Sequence, residues 1–347
     1  IRYALFVSFF PQLVAGPIER SGNMMHQIRE VPFWSRKQIL QADRIRDGLI
    51  LMVWGMFLKV VIADRISTLV DTVFDRYYAY GSVALVMAAV GFGLQIYCDF
   101  SSYSIIAVGS AKVMGFQLME NFNAPYMATS VTEFWRRWHI SLSTWFRDYL
   151  YIPLGGNRKG KARKLLNLLI TFTVSGLWHG ANWTFVFWGF LHGIYLVLEN
   201  LLRPAVRKIN ARYNVKTGTT GYRICRAVVT FVLVDFAWIF FRADSMHQAL
   251  GFIRHMFTQA DLWVLSGNAV YTYGLTVNEM SILCWSLLLL LFVDLIRVRR
   301  GVMLDTWLRT QWTGFRIVFV LFILFVTVIF GVYGPGFDSK QFIYFQF

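Results

Sequence analysis

The side chains best equipped for chemistry in this chain are its histidines, since a neutral imidazole can take a proton from a hydroxyl and return it later. Six are present. His179 stands in Trp178-His179-Gly180-Ala181-Asn182, where glycines and polar groups interrupt a long apolar stretch. An ionisable group at membrane depth is costly to keep and is a functional hypothesis by its position alone. Irregular backbone at that depth must be buried in protein or line a water-filled cavity. As a general base on a substrate hydroxyl, such a residue contributes ~10²–10⁴ in rate. The competing reading is a loop histidine at the outer interface, bonded to a backbone carbonyl, and spacing alone leaves both open. His139 lies in a stretch rich in Trp and Arg, where a histidine is more often structural than catalytic. His192 follows in an apolar segment and is expected to bond across to a neighbour. His26, His247 and His255 sit in polar connectors.

Other chemistries have little support. There is no Gly-x-Ser-x-Gly nucleophile elbow, no HExxH zinc helix and no close carboxylate pair. Asp99 and Asp235 are carboxylates within apolar segments, expected to pair with arginines and hold helices together. Cys98, Cys225 and Cys284 are far apart, with no ligand spacing, so neither a disulfide framework nor a metal site is expected. The run YIPLGGNRKG at 151–160 offers glycine amides and cations to a phosphate-bearing donor such as coenzyme A. A flexible turn followed by a basic anchor explains it more simply, because no Walker or Rossmann spacing is present.

The surroundings of these residues are those of a membrane protein. The 347 residues are 56% hydrophobic and only 15% charged, against about 25% charged in an average soluble domain. A net charge of +15 raises the question of nucleic acid. The lysines and arginines, however, gather in short connectors at 158–164, 203–212 and 297–300, as cytoplasmic loops between spans require. No nucleic-acid partner is expected.

A spanning helix needs ~20 mostly apolar residues. Clear candidates lie at 224–241, 280–296 and 315–333, with earlier ones at 48–62 and 81–98. Residues 165–202 are too long for one span and read as two helices joined at 176–182. Residues 3–18, with Pro11 and Pro17, read as broken or re-entrant, and 101–116 as a separate, interrupted segment. Placing the basic connectors on the cytoplasmic side gives a consistent parity and an outward C-terminus. The polar stretch 126–157 opens with Ser130 and Glu133 in capping-box spacing. Trp135, Trp138, Leu142, Trp145 and Tyr149 then recur at three- and four-residue steps, predicting an amphipathic helix at the interface. The fold class is all-α, a polytopic bundle read as a single domain over 1–347. The apolar start at Ile1 suggests that further helices precede it.

Several motifs together resemble the membrane-bound O-acyltransferase family, within it the alginate O-acetylation branch. They are QLVAGPIER at 12–20, YCDFSSY at 97–103, NFNAPY at 121–126, FWRRWHISLSTWFRDYLYIPLGGN at 134–157, GLWHG at 176–180 and AWIFFRA at 237–243. The resemblance implies helices around a central tunnel with two histidines at its waist. The family's main catalytic histidine falls on His179 and its second on His139. Trp138, Trp178 and Asn182, close to these histidines in the sequence, are the expected substrate contacts. It further implies a bacterial cytoplasmic membrane enzyme that takes acetyl from acetyl-CoA or another acyl thioester. The acceptor would be the hydroxyls of an exported polysaccharide or a periplasmic acetyl-transfer partner protein. The D-alanine transfer branch of teichoic acid modification is similar around both histidines, although the YIPLGGNR run favours the alginate-like branch. A non-enzymatic component of a polysaccharide export complex is the alternative from another class. Neither a bound cofactor nor a metal is implied.

Overall fold

The structure, a computed structural model, describes residues 1–13 and 16–333. Among these the regular elements are helices, with no strand. In chain order the principal ones are α1 (Ala42–Phe57), α2 (Asp64–Asp75), α3 (Ser82–Met114), α4 (Val131–Trp135), α5 (Ile140–Phe146), α6 (Gly160–His179), α7 (Trp183–Arg212), α8 (Thr220–Arg242), α9 (Met246–Thr258), α10 (Val277–Arg300), α11 (Leu304–Arg309) and α12 (Thr313–Phe330). Among the described residues five helices, α3, α7, α8, α10 and α12, are long and apolar enough to cross a membrane. The chain is an all-α, multi-pass membrane protein. Helix α12 exposes apolar side chains such as Val318, Phe322, Phe325 and Ile329, as a lipid-facing helix must.

Two of the expected early segments are one element. Residues 81–98 and 101–116 form the continuous α3 of 33 residues. The polar Asp99-Phe100-Ser101-Ser102 stretch suggested a break, but Lys59 Nζ lies 2.6 Å from the Asp99 carboxylate and 2.8 Å from Asp64. Asp99 therefore pairs with a lysine rather than an arginine, and the paired charge is carried inside a helix without breaking it. Residues 48–62 are realised as α1 continued by a π-helical turn at Leu58–Ala63. The N-terminal segment is broken as expected, with a helix at Arg2–Val7 and a short 3₁₀ turn at Phe10–Gln12. Val14 and Ala15 of the QLVAGPIER motif, and the expected outward C-terminus at Phe347, lie outside the described residues.

The chain divides into two compact units. Among the described residues, the first comprises those within 1–66, 94–123 and 277–333. Its buried charges are matched in place: besides the Lys59 pairs, Lys112 meets Asp305, Arg309 meets Asp47, and Tyr97 donates to the Asp294 carboxylate at 3.1 Å. Met24, Leu51 and Ala111 pack one of its apolar clusters.

The second unit comprises residues 67–93 and 124–276 and contains both candidate histidines. Its frame is the hairpin of α6 and α7. The split at 176–182 is as expected: α6 ends at His179, and Asn182 caps α7 by accepting from the Thr184 amide at 3.2 Å. A Cβ at Gly176 would strike the carbonyl of Phe185, and one at Gly189 the carbonyl of Phe172. Small residues at these points let the two backbones touch, which is how helices associate where apolar surface alone gives no drive.

Candidate functional site

The segment leading to His139 is not the single amphipathic helix that its spacing suggests. Helix α4 ends at Trp135, and α5 begins only at Ile140. Between them His139 takes a left-handed backbone, with φ +42°. That conformation is uncommon outside glycine, and such backbone tends to cluster at functional sites. It turns the imidazole inward, leaving His139 only 4% exposed, with Trp138 buried beside it. The stripe fails for the same reason: Trp138 and Leu142 are buried, whereas Trp145 and Tyr149 are exposed.

The start of this segment is firmly held. Ser130 accepts from the Glu133 amide at 3.1 Å, as a cap should. The Glu133 carboxylate does not return to the cap residue's own amide as a capping box would. It accepts instead from the Thr129 amide at 2.8 Å and hydroxyl at 2.7 Å, and pairs with Arg137 at 2.6 Å. Burial would raise the Glu133 pKa, but these hydrogen bonds and the Arg137 charge outweigh it and hold the carboxyl below its ordinary range.

His179 is half-buried at the last turn of α6, enclosed by aromatic rings. Its ring centroid lies 5.0 Å from Trp178, 5.3 Å from Trp188 and 5.3 Å from Phe241. Trp188 stacks on Trp238 at 5.4 Å, and Trp238 lies 5.1 Å from Trp138, the neighbour of His139. A continuous aromatic wall thus runs from one histidine to the residue beside the other. His139 is within electrostatic reach of His179. Burial holds the His139 imidazole well below its usual pKa, and a positive charge on His179 acts in the same direction.

His192 behaves as expected of a cross-linking residue, accepting from Trp135 Nε1 at its Nδ1 over 3.2 Å. Asn182 is engaged at both ends, because its Nδ2 also donates to the Asp244 carbonyl at 3.0 Å. Trp178 is half exposed. Sequence reasoning missed Trp188 and Trp238 altogether. Their indole nitrogens, with Asp235 Oδ1 and His192 Nε2, are buried without a hydrogen-bond partner among the described residues. Buried polar atoms are normally satisfied, so a group of unsatisfied ones marks a place where water or substrate groups belong. Among the described residues Asp235 pairs with no arginine, contrary to expectation; its carboxylate packs against Gly93.

A cavity of about 520 Å³ lies beside this core, lined from α6 by Lys164, Leu168, Thr171 and Ser175. These residues share a helix face, and one further turn brings that face to His179. Arg136, Arg147 and Arg203 complete a basic rim. From the glycine run, Tyr151 and Asn157 line the cavity; between them Gly155 and Gly156 adopt positive φ, and Asn167 Nδ2 donates to the Gly156 carbonyl at 3.1 Å. Among the described residues no group of His, Cys, Asp and Glu is placed to hold a metal.

Residues 1–240 match the family described as MBOAT, membrane-bound O-acyltransferase. A peptidoglycan O-acetyltransferase of Helicobacter pylori is 41% identical over 254 residues, covering 73% of this chain and 46% of that protein. A probable alginate O-acetylase AlgI of Pseudomonas putida is 36% identical over 356 residues, covering 100% of this chain and 69% of that protein. A teichoic acid D-alanyltransferase of Bacillus subtilis is 26% identical over 253 residues, covering 71% of this chain and 62% of that protein. The chain spans about half the length of most of the curated relatives it matches. The match over residues 1–240 and the 36–41% identity to relatives over 73–100% of this chain lead to one conclusion: the chain belongs to the membrane-bound O-acyltransferase family.

Proposed function

We propose that the chain carries out O-acetyl transfer at a bacterial cytoplasmic membrane, from an acyl thioester such as acetyl-CoA to a hydroxyl of an exported polysaccharide. The observation that carries this reading is the face of α6 that lines the basic-rimmed cavity and ends at His179. A thioester tethered to a phosphorylated carrier suits such a cavity, because arginine and lysine bind the phosphates and the apolar wall accepts the pantetheine arm.

In the proposed step His179 takes the proton of the acceptor hydroxyl as its oxygen attacks the thioester carbonyl. The new C–O bond forms, the C–S bond breaks, and the proton passes from the imidazolium to the departing thiolate. His139, neutral and buried, orients or polarises the thioester. Trp138 and Trp178 flank the two histidines. The unsatisfied indole N–H groups of Trp188 and Trp238 are suited to the carbonyl oxygen as charge develops on it.

The relatives named for O-acetyl transfer are more similar to this chain than those named for D-alanyl transfer, which favours acetyl as the transferred group. A periplasmic acetyl-transfer protein is an acceptor partner of the same chemistry. Mass analysis of surface polysaccharide from cells with and without the gene tests the reading. Loss of O-acetyl groups supports it; unchanged acetylation with reduced export favours a non-enzymatic export component; loss of D-alanyl esters favours the teichoic acid reaction.

A further inference from the structure

A second cavity, of about 570 Å³, lies between α7 and α8, with no α6 residue in its wall and Arg203 shared with the first cavity. Its walls change character along their length. Toward the middle of the spans they are exposed aliphatic side chains, Leu198 and Leu202 on α7 and Val229 and Leu233 on α8. Toward the basic connector they carry Arg203, Arg207, Arg223 and Arg226.

Two of these arginines are committed to the fold. Arg226 Nε donates to the Thr129 carbonyl at 3.0 Å, and Arg203 reaches Glu199 at 3.3 Å. Glu199, the acidic residue of this cavity, also accepts from the Thr132 amide at 2.9 Å, so its charge is already shared. The guanidinium groups of Arg207 and Arg223 have no hydrogen-bond or ionic partner among the described residues. Asn210 Nδ2 donates to the Tyr222 hydroxyl at 3.2 Å, which leaves that hydroxyl's own proton to be donated into the cavity.

We infer that this groove holds an anionic phospholipid, its phosphate between Arg207 and Arg223 and its acyl chains along the aliphatic walls of α7 and α8. Uncommitted arginines from two helices lining one groove call for an anion with several acceptor oxygens. The apolar walls running from them into the spanning region call for that anion to carry hydrocarbon, which a soluble phosphate does not. Basic pockets between spanning helices on the cytoplasmic side are suited to anionic headgroups on these grounds. The lipid would also fix the α7–α8 hairpin, whose basic ends repel one another.

Native mass spectrometry of the full chain, purified in neutral detergent and exposed to equimolar phosphatidylglycerol and phosphatidylcholine, tests the inference. Preferential retention of phosphatidylglycerol is expected. Removing two interfacial arginines with Arg207→Gln and Arg223→Gln should lower that preference about thirtyfold, whereas Arg207→Lys with Arg223→Lys should keep most of it. Equal retention of the two lipids by the wild type would overturn the inference without reference to any variant. So would an unchanged preference in the Gln double variant. Complete displacement by millimolar glycerol phosphate would show a soluble-phosphate site and overturn it as well.

Discussion

Trp135 donates its indole N–H to Nδ1 of His192 at 3.2 Å, tying the short helix before His139 to the helix after His179. An indole only donates, so Nδ1 of His192 must be unprotonated and its proton must sit on Nε2. That Nε2 is buried without a partner among the described residues. A residue outside the two candidate bases thereby sets how the α4–α5 corner meets the hairpin.

Replacing Trp135 with Phe keeps an aromatic ring against Phe172 and Trp188 but removes the donor. The buried Nδ1 of His192 is left unsatisfied, at about 1–3 kcal/mol. Thermal unfolding in detergent should show that loss, and adding His192→Phe to the Trp135→Phe background should recover part of it. Additive losses in the double variant would mean that the hydrogen bond contributes nothing.

Gly189 has the backbone of α6 where its Cβ would be. Gly189→Val should therefore lower the yield of folded protein sharply, and by more than the about 1–3 kcal/mol typical of overpacking, since backbone atoms cannot step aside. Gly221, with open space around it, serves as the control, and Gly221→Ala should leave yield and melting temperature unchanged.

The buried His139 gives stability a pH dependence of known sign. Its folded pKa lies below the unfolded value near 6.5, so below about pH 6.5 the unfolded chain binds the extra proton. Its contribution is complete above that pH and declines as pH falls, by at most about 1.4 kcal/mol per unit. Melting curves between pH 7.5 and 5 should be steeper for the wild type than for His139→Asn, a residue that also tolerates left-handed backbone. Parallel curves would show that His139 is not held neutral by the fold.

The basic connectors give a topology that labelling can check. With exposed Cys225 and Cys284 removed, single cysteines at Lys208 and Arg299 should react only after the membrane is permeabilised. Reaction at Lys208 in intact cells would reverse the parity on which the cytoplasmic donor depends.

The hairpin break at 176–182 was legible because two glycines and an asparagine inside an apolar run weaken the helix just where the run is too long for one span. The continuity of α3 was not, because the cation that meets Asp99 mid-helix is Lys59, which is distant in sequence. The Trp135–Tyr149 stripe misled for a related reason. Three- and four-residue spacing describes a helix, and nothing local reports that His139 leaves it with φ +42°. Trp188 and Trp238 look like ordinary members of apolar helices. Their one signal is that they stand four residues before His192 and three after Asp235, each on the same helix face as an ionisable residue.

The central claim is that His179 is the base, and the most direct measurement is O-acetylation of the surface polysaccharide in cells carrying His179→Ala at wild-type protein level. Acetylation should be abolished while the protein stays in the membrane, because one side chain at a helix break contributes little to insertion. His179→Gln, which keeps hydrogen bonding but cannot take up the proton, should be equally inactive, and His139→Ala should be impaired less completely. Near-normal acetylation by His179→Ala at equal protein level would contradict the account.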